Sequence, residues 1–111
     1  MSKLINSENE LNQILKTNKN VLVLFYASWC PFSRAFLPVF EKQAEGQENS
    51  FCRVMTDTAA SCEDTYAIEV VPTVLFFENG QVVKRLDGIS GVGLNEKQLK
   101  EMVKSCSLSK D

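Results

Sequence analysis

The segment Trp29-Cys30-Pro31-Phe32-Ser33 carries the side chains in this sequence that are best suited to chemistry. A cysteine reacts as its thiolate, which is only a few per cent of a free thiol at neutral pH. A helix that begins just after Cys30 would turn unpaired backbone N–H groups and the positive end of its dipole toward the sulfur, stabilising the anion by up to about 2 kcal/mol. The segment therefore predicts a reactive Cys30, whereas the simpler interpretation is a small buried hydrophobic residue.

Two neighbours of Cys30 are expected to stabilise its thiolate further. Ser33 follows three residues later, where its hydroxyl can donate a hydrogen bond to the sulfur, and Arg34 adds positive potential. The chain contains no histidine, so a Cys-His catalytic dyad is excluded and Cys30 must be activated by other groups. We expect Cys30 and Ser33 to be the catalytic residues.

The other three cysteines, Cys52, Cys62 and Cys106, match neither a secreted disulfide scaffold nor a metal-finger spacing. Without histidine, a structural zinc site has almost nothing to be built from, and we expect no metal. Packing is the simplest role for these three thiols, and service as a distant partner of Cys30 is the alternative.

The composition is that of one globular domain spanning residues 1–111, with 44% hydrophobic and 23% charged residues. A net charge of −2 provides no basic surface for a phosphate backbone, so we expect no nucleic-acid partner. The apolar run 21–27 is too short to span a membrane, and the start of the chain does not resemble a signal peptide. These features predict a cytoplasmic monomer without a membrane partner.

Hydrophobic periodicity and turn residues predict an α/β fold. Capping boxes at Ser7/Glu10 and Asn95/Gln98 mark helix starts, and Asn79-Gly80 marks a hairpin. Helices are predicted over residues 7–16, 33–44 and 59–68 and after 95, and strands over 21–27, 51–57, 73–77 and 81–86. The order predicts a central mixed sheet with helices on both faces, whose last two strands form an antiparallel hairpin followed by a helix.

Over nearly its whole length the chain resembles the thioredoxin family. The segment 29–33 stands where that family has its WCxxC motif, with serine in place of the second cysteine. Val71-Pro72-Thr73 resembles the family's cis-proline segment, and Gly88 its glycine after the last strand. The resemblance implies a thioredoxin fold, thiol-disulfide exchange on cysteine-containing protein substrates, and a reductase as a further partner.

The resemblance also implies a substrate groove beside Cys30. Val71 would pair its backbone with an extended substrate, with Pro72 cis and packed against Cys30 and with Gly88 forming a wall. The aromatic and proline side chains of the motif, Trp29, Pro31 and Phe32, would add an apolar surface, since aromatic residues beside a turn often stay partly exposed; the alternative is that Trp29 and Phe32 pack in the core.

Two departures from the family pattern concern the reaction itself. Ser33 cannot act as a resolving thiol, because an alcohol is a far weaker nucleophile toward sulfur. Leu24 occupies the position at which many thioredoxins carry a buried aspartate that assists the resolving cysteine. We therefore predict a monothiol oxidoreductase or isomerase that holds no cofactor and uses an external thiol such as glutathione. The alternatives are a peptide-binding module that forms long-lived mixed disulfides, and a dithiol thioredoxin in which Ser33 replaces an original cysteine.

Overall fold

Five strands form one mixed sheet in the order β1-β3-β2-β4-β5. The strands are β1 (Lys3–Ile5), β2 (Asn20–Tyr26), β3 (Phe51–Met55), β4 (Thr73–Glu78) and β5 (Gln81–Leu86) in a computed structural model that describes residues 1–106. Strands β1 and β2 run parallel to β3, whereas β4 is antiparallel to both β2 and β5. The predicted mixed sheet and its terminal hairpin are confirmed, and β1 is an additional strand.

Within residues 1–106, three α-helices and one short 3₁₀ turn lie between the strands, and a fourth α-helix follows β5. They are α1 (Glu8–Thr17), α2 (Pro31–Ala44), the 3₁₀ turn Glu48–Ser50, α3 (Ser61–Thr65) and α4 (Glu96–Ser105). Helix α2 begins two residues earlier than predicted, because proline is well suited to the first helical position. Helix α3 is shorter than predicted and is followed by Ala67, whose φ of 53° is incompatible with a continuing helix.

The sheet separates two hydrophobic cores. Alternate side chains of β2 point to opposite faces, and all seven of its residues are buried. One core contains Val21, Val23, Phe25, Leu11, Leu15 and Cys62; the other contains Leu22, Leu24, Phe36, Phe40 and Leu99. Helices α1 and α3 therefore cover one face of β2 and helices α2 and α4 the other, so this central strand is held rigidly and can position the residues that follow it.

A partly buried ion pair fixes α2 to the sheet. Arg53 Nη1 lies 3.0 Å from Glu41 Oε2, and each of these two side chains is 15% exposed. The Ser2 amide and hydroxyl donate to the same carboxylate at 2.7 and 2.8 Å, and Arg53 also donates to the Ser2 carbonyl oxygen. Because every partner is hydrogen-bonded, this cluster satisfies its partly buried charges and links β3 and α2 to the residue that precedes β1. Within residues 1–106, no helix is long and apolar enough to cross a membrane.

Candidate active site

Cys30 is the N-cap residue of α2, as the sequence predicted. Its backbone is extended (φ −88°, ψ 120°), and its carbonyl oxygen accepts the first helical hydrogen bond from Arg34 N at 3.0 Å. No acidic residue lies in the first turn of α2, so no negative charge of that turn faces the sulfur. The residue is 6% exposed, and its thiol donates toward the Val71 carbonyl oxygen across 3.8 Å. The sulfur therefore lies at a helix N-terminus and beside the backbone of Val71.

Ser33 makes a different contact from the one expected. Its side chain is completely buried, and its hydroxyl oxygen accepts a hydrogen bond from Ala27 N at 3.2 Å. The expected Ser33 to Cys30 bond is not among the hydrogen bonds of residues 1–106. Because the first turn of α2 folds back under the loop that leaves β2, the Ala27 amide is the donor that this oxygen meets. Ser33 thus holds the loop and the helix together.

The Val71–Pro72 peptide bond is cis, and the residues around it are held by Thr73 and Gly88. Thr73 Oγ1 donates to the Val70 carbonyl oxygen at 2.6 Å and accepts from Gly88 N at 3.3 Å. A Cβ atom at Gly88 would lie 2.3 Å from the Pro72 carbonyl oxygen, so only glycine fits there. The role of the Thr73 hydroxyl was not predicted from the sequence, although a threonine between a proline and a strand is a signal for such a bond.

An apolar surface surrounds Cys30. Trp29 is 72% and Phe32 39% exposed, which settles their position outside the core, and Pro31 is exposed as well. The loop that follows Gly88 adds Ile89 (55% exposed) and Val92 (66% exposed), which were not predicted to belong to the site. A glycine of this loop, at position 93, packs against Phe32: a Cβ there would lie 3.0 Å from the Phe32 Cβ. A sequence signal for this surface was present. The stretch 88–93 is rich in glycine and so is predicted to be a loop, and apolar residues in a loop are often exposed.

The loop between β2 and α2, which carries Cys30, is also held by Asp57. The Ser28 amide and hydroxyl donate to the two carboxylate oxygens of Asp57, at 3.0 and 2.7 Å. These hydrogen bonds from Ser28 hold the pKa of Asp57 below its ordinary value. Asp57 lies two residues after the end of β3, at the same sheet edge as Cys30. It was not identified from the sequence because the two residues of this contact lie far apart along the chain.

The other cysteines are unsuited to attack at neutral pH. Burial raises the pKa of Cys52 to about 11 and that of Cys62 to about 11, and it also raises the pKa of Cys106. All four cysteines are free thiols. Among the described residues, no group of three or more histidine, cysteine or acidic side chains is placed to hold a metal ion.

Comparison with known proteins assigns the family. The thioredoxin family model matches residues 2–105. A thioredoxin of Mycoplasmoides gallisepticum is 36% identical over 103 residues, which cover 92% of this chain and 99% of that protein. A bifunctional thioredoxin reductase/thioredoxin of Mycobacterium leprae is 33% identical over 92 residues, covering 81% of this chain and 20% of that protein.

A solved Entamoeba histolytica thioredoxin, a mutant in which a cysteine is replaced by serine, superimposes with a TM-score of 0.82 at 30% identity. It covers 96% of this chain and 100% of that chain. Sequence and structure therefore agree over the sheet, the flanking helices and the loop that carries Cys30. The chain belongs to the thioredoxin family of thiol-disulfide oxidoreductases.

Proposed function

We propose that this protein exchanges disulfides through Cys30 alone, and that an external thiol releases Cys30 from the mixed disulfide with its substrate. The observation that carries the proposal is the single sulfur at the N-cap of α2, with buried Ser33 at the position from which a second thiol would resolve. The Cys30 thiolate attacks one sulfur of a substrate disulfide, forms a mixed disulfide and releases the other substrate sulfur as a thiolate.

The second half of the reaction requires a thiol from solution. Glutathione attacks one of the two sulfurs of the mixed disulfide and breaks its S–S bond. Attack on the substrate sulfur frees Cys30 and leaves glutathione on the substrate, whereas attack on the Cys30 sulfur frees the substrate and leaves glutathione on Cys30. A second glutathione then removes the first as glutathione disulfide. In net terms one substrate disulfide is reduced to two thiols while two glutathiones are oxidised to one disulfide. The burial of Cys52 and Cys62 supports an external resolver, since it keeps both thiols from the surface and raises the pKa of each to about 11, which lowers the thiolate fraction further at neutral pH.

The surroundings of Cys30 favour a protein or peptide substrate. The Val71 carbonyl oxygen lies within 3.8 Å of the sulfur, where an extended chain can form a backbone hydrogen bond. Trp29, Phe32 and Ile89 offer exposed apolar area to the residues that flank the substrate cysteine. We propose that Pro31, Pro72 and Gly88 complete the walls of this groove, and that isomerisation and reduction use the same contacts.

The conditions of the reaction are part of the proposal. A reducing compartment such as the cytoplasm supplies the external thiol, and the protein acts there as a monomer without a bound cofactor. The Mycobacterium leprae relative joins a thioredoxin reductase to a thioredoxin in one chain, which supports a separate reductase as a partner here.

A second candidate is a binding module that retains its substrates as mixed disulfides. The buried Ser33 favours it, because a chain that cannot resolve its own adduct holds the substrate until another thiol arrives. The third candidate is a dithiol thioredoxin altered at Ser33. It is distinguished from the first two by a cysteine codon at position 33 in the coding sequence of the source genome.

The proposal is tested by following reduction of a protein disulfide with glutathione as the only reductant. The parent should accelerate the reaction over glutathione alone, and Cys30→Ser should abolish that acceleration. Cys106→Ser is the matched control, because it removes a half-buried thiol elsewhere on the surface and should leave the rate unchanged. A parent that forms the adduct but never turns over would favour the binding module, and equal rates for parent and Cys30→Ser would contradict both.

A further inference from the structure

The contact between Ser28 and Asp57 joins the loop that carries Cys30 to the end of β3. Both carboxylate oxygens are used: Oδ1 accepts from the Ser28 amide at 3.0 Å and Oδ2 from its hydroxyl at 2.7 Å. Such paired, charge-assisted hydrogen bonds fix orientation as well as distance. Ser28 therefore has one defined position relative to β3, although both residues are exposed.

Besides the bond from Ala27 N to Ser33 Oγ, two backbone hydrogen bonds fix the same loop. Thr56 donates from its amide to the Tyr26 carbonyl oxygen at 2.8 Å, and the Cys30 amide donates to the Ala27 carbonyl oxygen at 3.3 Å. The first holds the end of β2 and the second closes the turn upon itself. Among the hydrogen bonds of residues 1–106, the Asp57 carboxylate is the group that holds residue 28 from outside the turn.

We infer that Asp57 is a positioning residue for Cys30, acting through Ser28 to set the turn that presents both Trp29 and the sulfur. The distance between Cys30 Sγ and the Val71 carbonyl oxygen, 3.8 Å, then depends on a carboxylate that does not touch the substrate. The inference rests on the proposed function only where exchange is measured. Because the lowered pKa of Asp57 keeps the carboxylate ionised at neutral pH, it remains an acceptor for both bonds.

Exposure separates this role from a purely structural one. A hydrogen bond between exposed groups contributes little to global stability, because water replaces it on opening. Loss of the Asp57 carboxylate should therefore leave the thermal midpoint nearly unchanged while the turn becomes mobile. A displacement of the order of 1 Å at a reacting group can reduce a rate by roughly a hundredfold, so even a partial loss of position is measurable.

Trp29 provides the readout, because it is the single tryptophan of the chain and stands between Ser28 and Cys30. We would measure its fluorescence anisotropy in the parent, in Asp57→Ala and in Ser28→Ala. Asp57→Ala should lower the anisotropy and slow exchange by roughly tenfold. Ser28→Ala should have a smaller effect, because its amide still donates to the carboxylate, and Ser28→Thr should restore the parent values.

The matched control is Asp64→Ala, which removes one exposed carboxylate from α3. It should change neither the anisotropy nor the rate. Anisotropy in Asp57→Ala equal to that of the parent, or a change equally large in Asp64→Ala, would overturn the inference. Ser28→Ala provides the same test should Asp57→Ala not fold. Anisotropy requires no exchange activity, so an inactive parent would contradict the proposed function without deciding the role of Asp57.

Discussion

Gly88→Ala should damage the site through a single methyl group. The added Cβ would lie 2.3 Å from the Pro72 carbonyl oxygen, whereas real Cβ contacts do not fall below 3.0 Å, so the two backbones must separate by about 0.7 Å. Overpacking of this kind costs about 1 to 3 kcal/mol in the free energy of unfolding. For a chain of this length that corresponds to a fall in the thermal midpoint of roughly 4 to 13 °C.

The same displacement should reach the reacting sulfur. Pro72 follows Val71, whose carbonyl oxygen faces Cys30, so a shift of this size changes the geometry of substrate pairing. We expect the exchange rate with a peptide disulfide to fall by roughly tenfold or more. Calorimetry and a fluorescent disulfide-exchange assay measure the two effects separately.

Gly46→Ala is the matched control for Gly88→Ala. It places a methyl group in open space but at a φ of +81°, which costs about 1 to 2 kcal/mol of stability without touching the site. Its exchange rate should equal that of the parent. A Gly88→Ala variant that exchanges as fast as Gly46→Ala would refute the argument that Gly88 sets the position of the Val71–Pro72 segment.

Two further predictions concern individual cysteines. Ser33→Cys places a second thiol one helical turn from Cys30 and should form a disulfide and raise the rate of substrate release, measured by thiol titration and by the loss of adduct. The pKa of Cys52 is raised from 9.0 to about 11 in the folded chain, so its neutral thiol contributes stability below pH 9 that is lost as pH rises toward 11. Denaturant titrations at several pH values should show this alkaline loss of unfolding free energy in the parent and a smaller loss in Cys52→Ala. An equal dependence of the unfolding free energy on pH in the two proteins would argue against the burial of that thiol.

Local signals predicted much of the fold. Ser7 and Asn95 cap their helices as expected, and both residues of the Asn79-Gly80 turn have positive φ, as a tight hairpin requires. The run of apolar residues in β2 correctly indicated a strand with two covered faces. In each case the information lies within a few neighbouring residues, where propensity and periodicity act directly.

Contacts distant in sequence were not predictable. Strand β1 has three residues, too few for a periodic pattern, and it is extended because it pairs with β3. The hydroxyl of Ser33 was expected at the sulfur, yet the fold brings the Ala27 amide to it. Asp57 meets Ser28 because β2 and β3 are parallel and end at the same sheet edge. These partners are fixed by tertiary packing, which no local pattern of residues encodes.

The central claim is that Cys30 captures substrates and cannot release them alone. It is tested most directly by incubating the protein with a linear peptide disulfide, removing the released and unreacted peptide, and following intact mass over time. We predict one peptide adduct on Cys30 that persists until glutathione is added and then disappears, with no adduct in Cys30→Ser. Spontaneous loss of the adduct after the free peptide is removed and before glutathione is added would contradict the claim, because the resolving thiol would then have to belong to the protein itself.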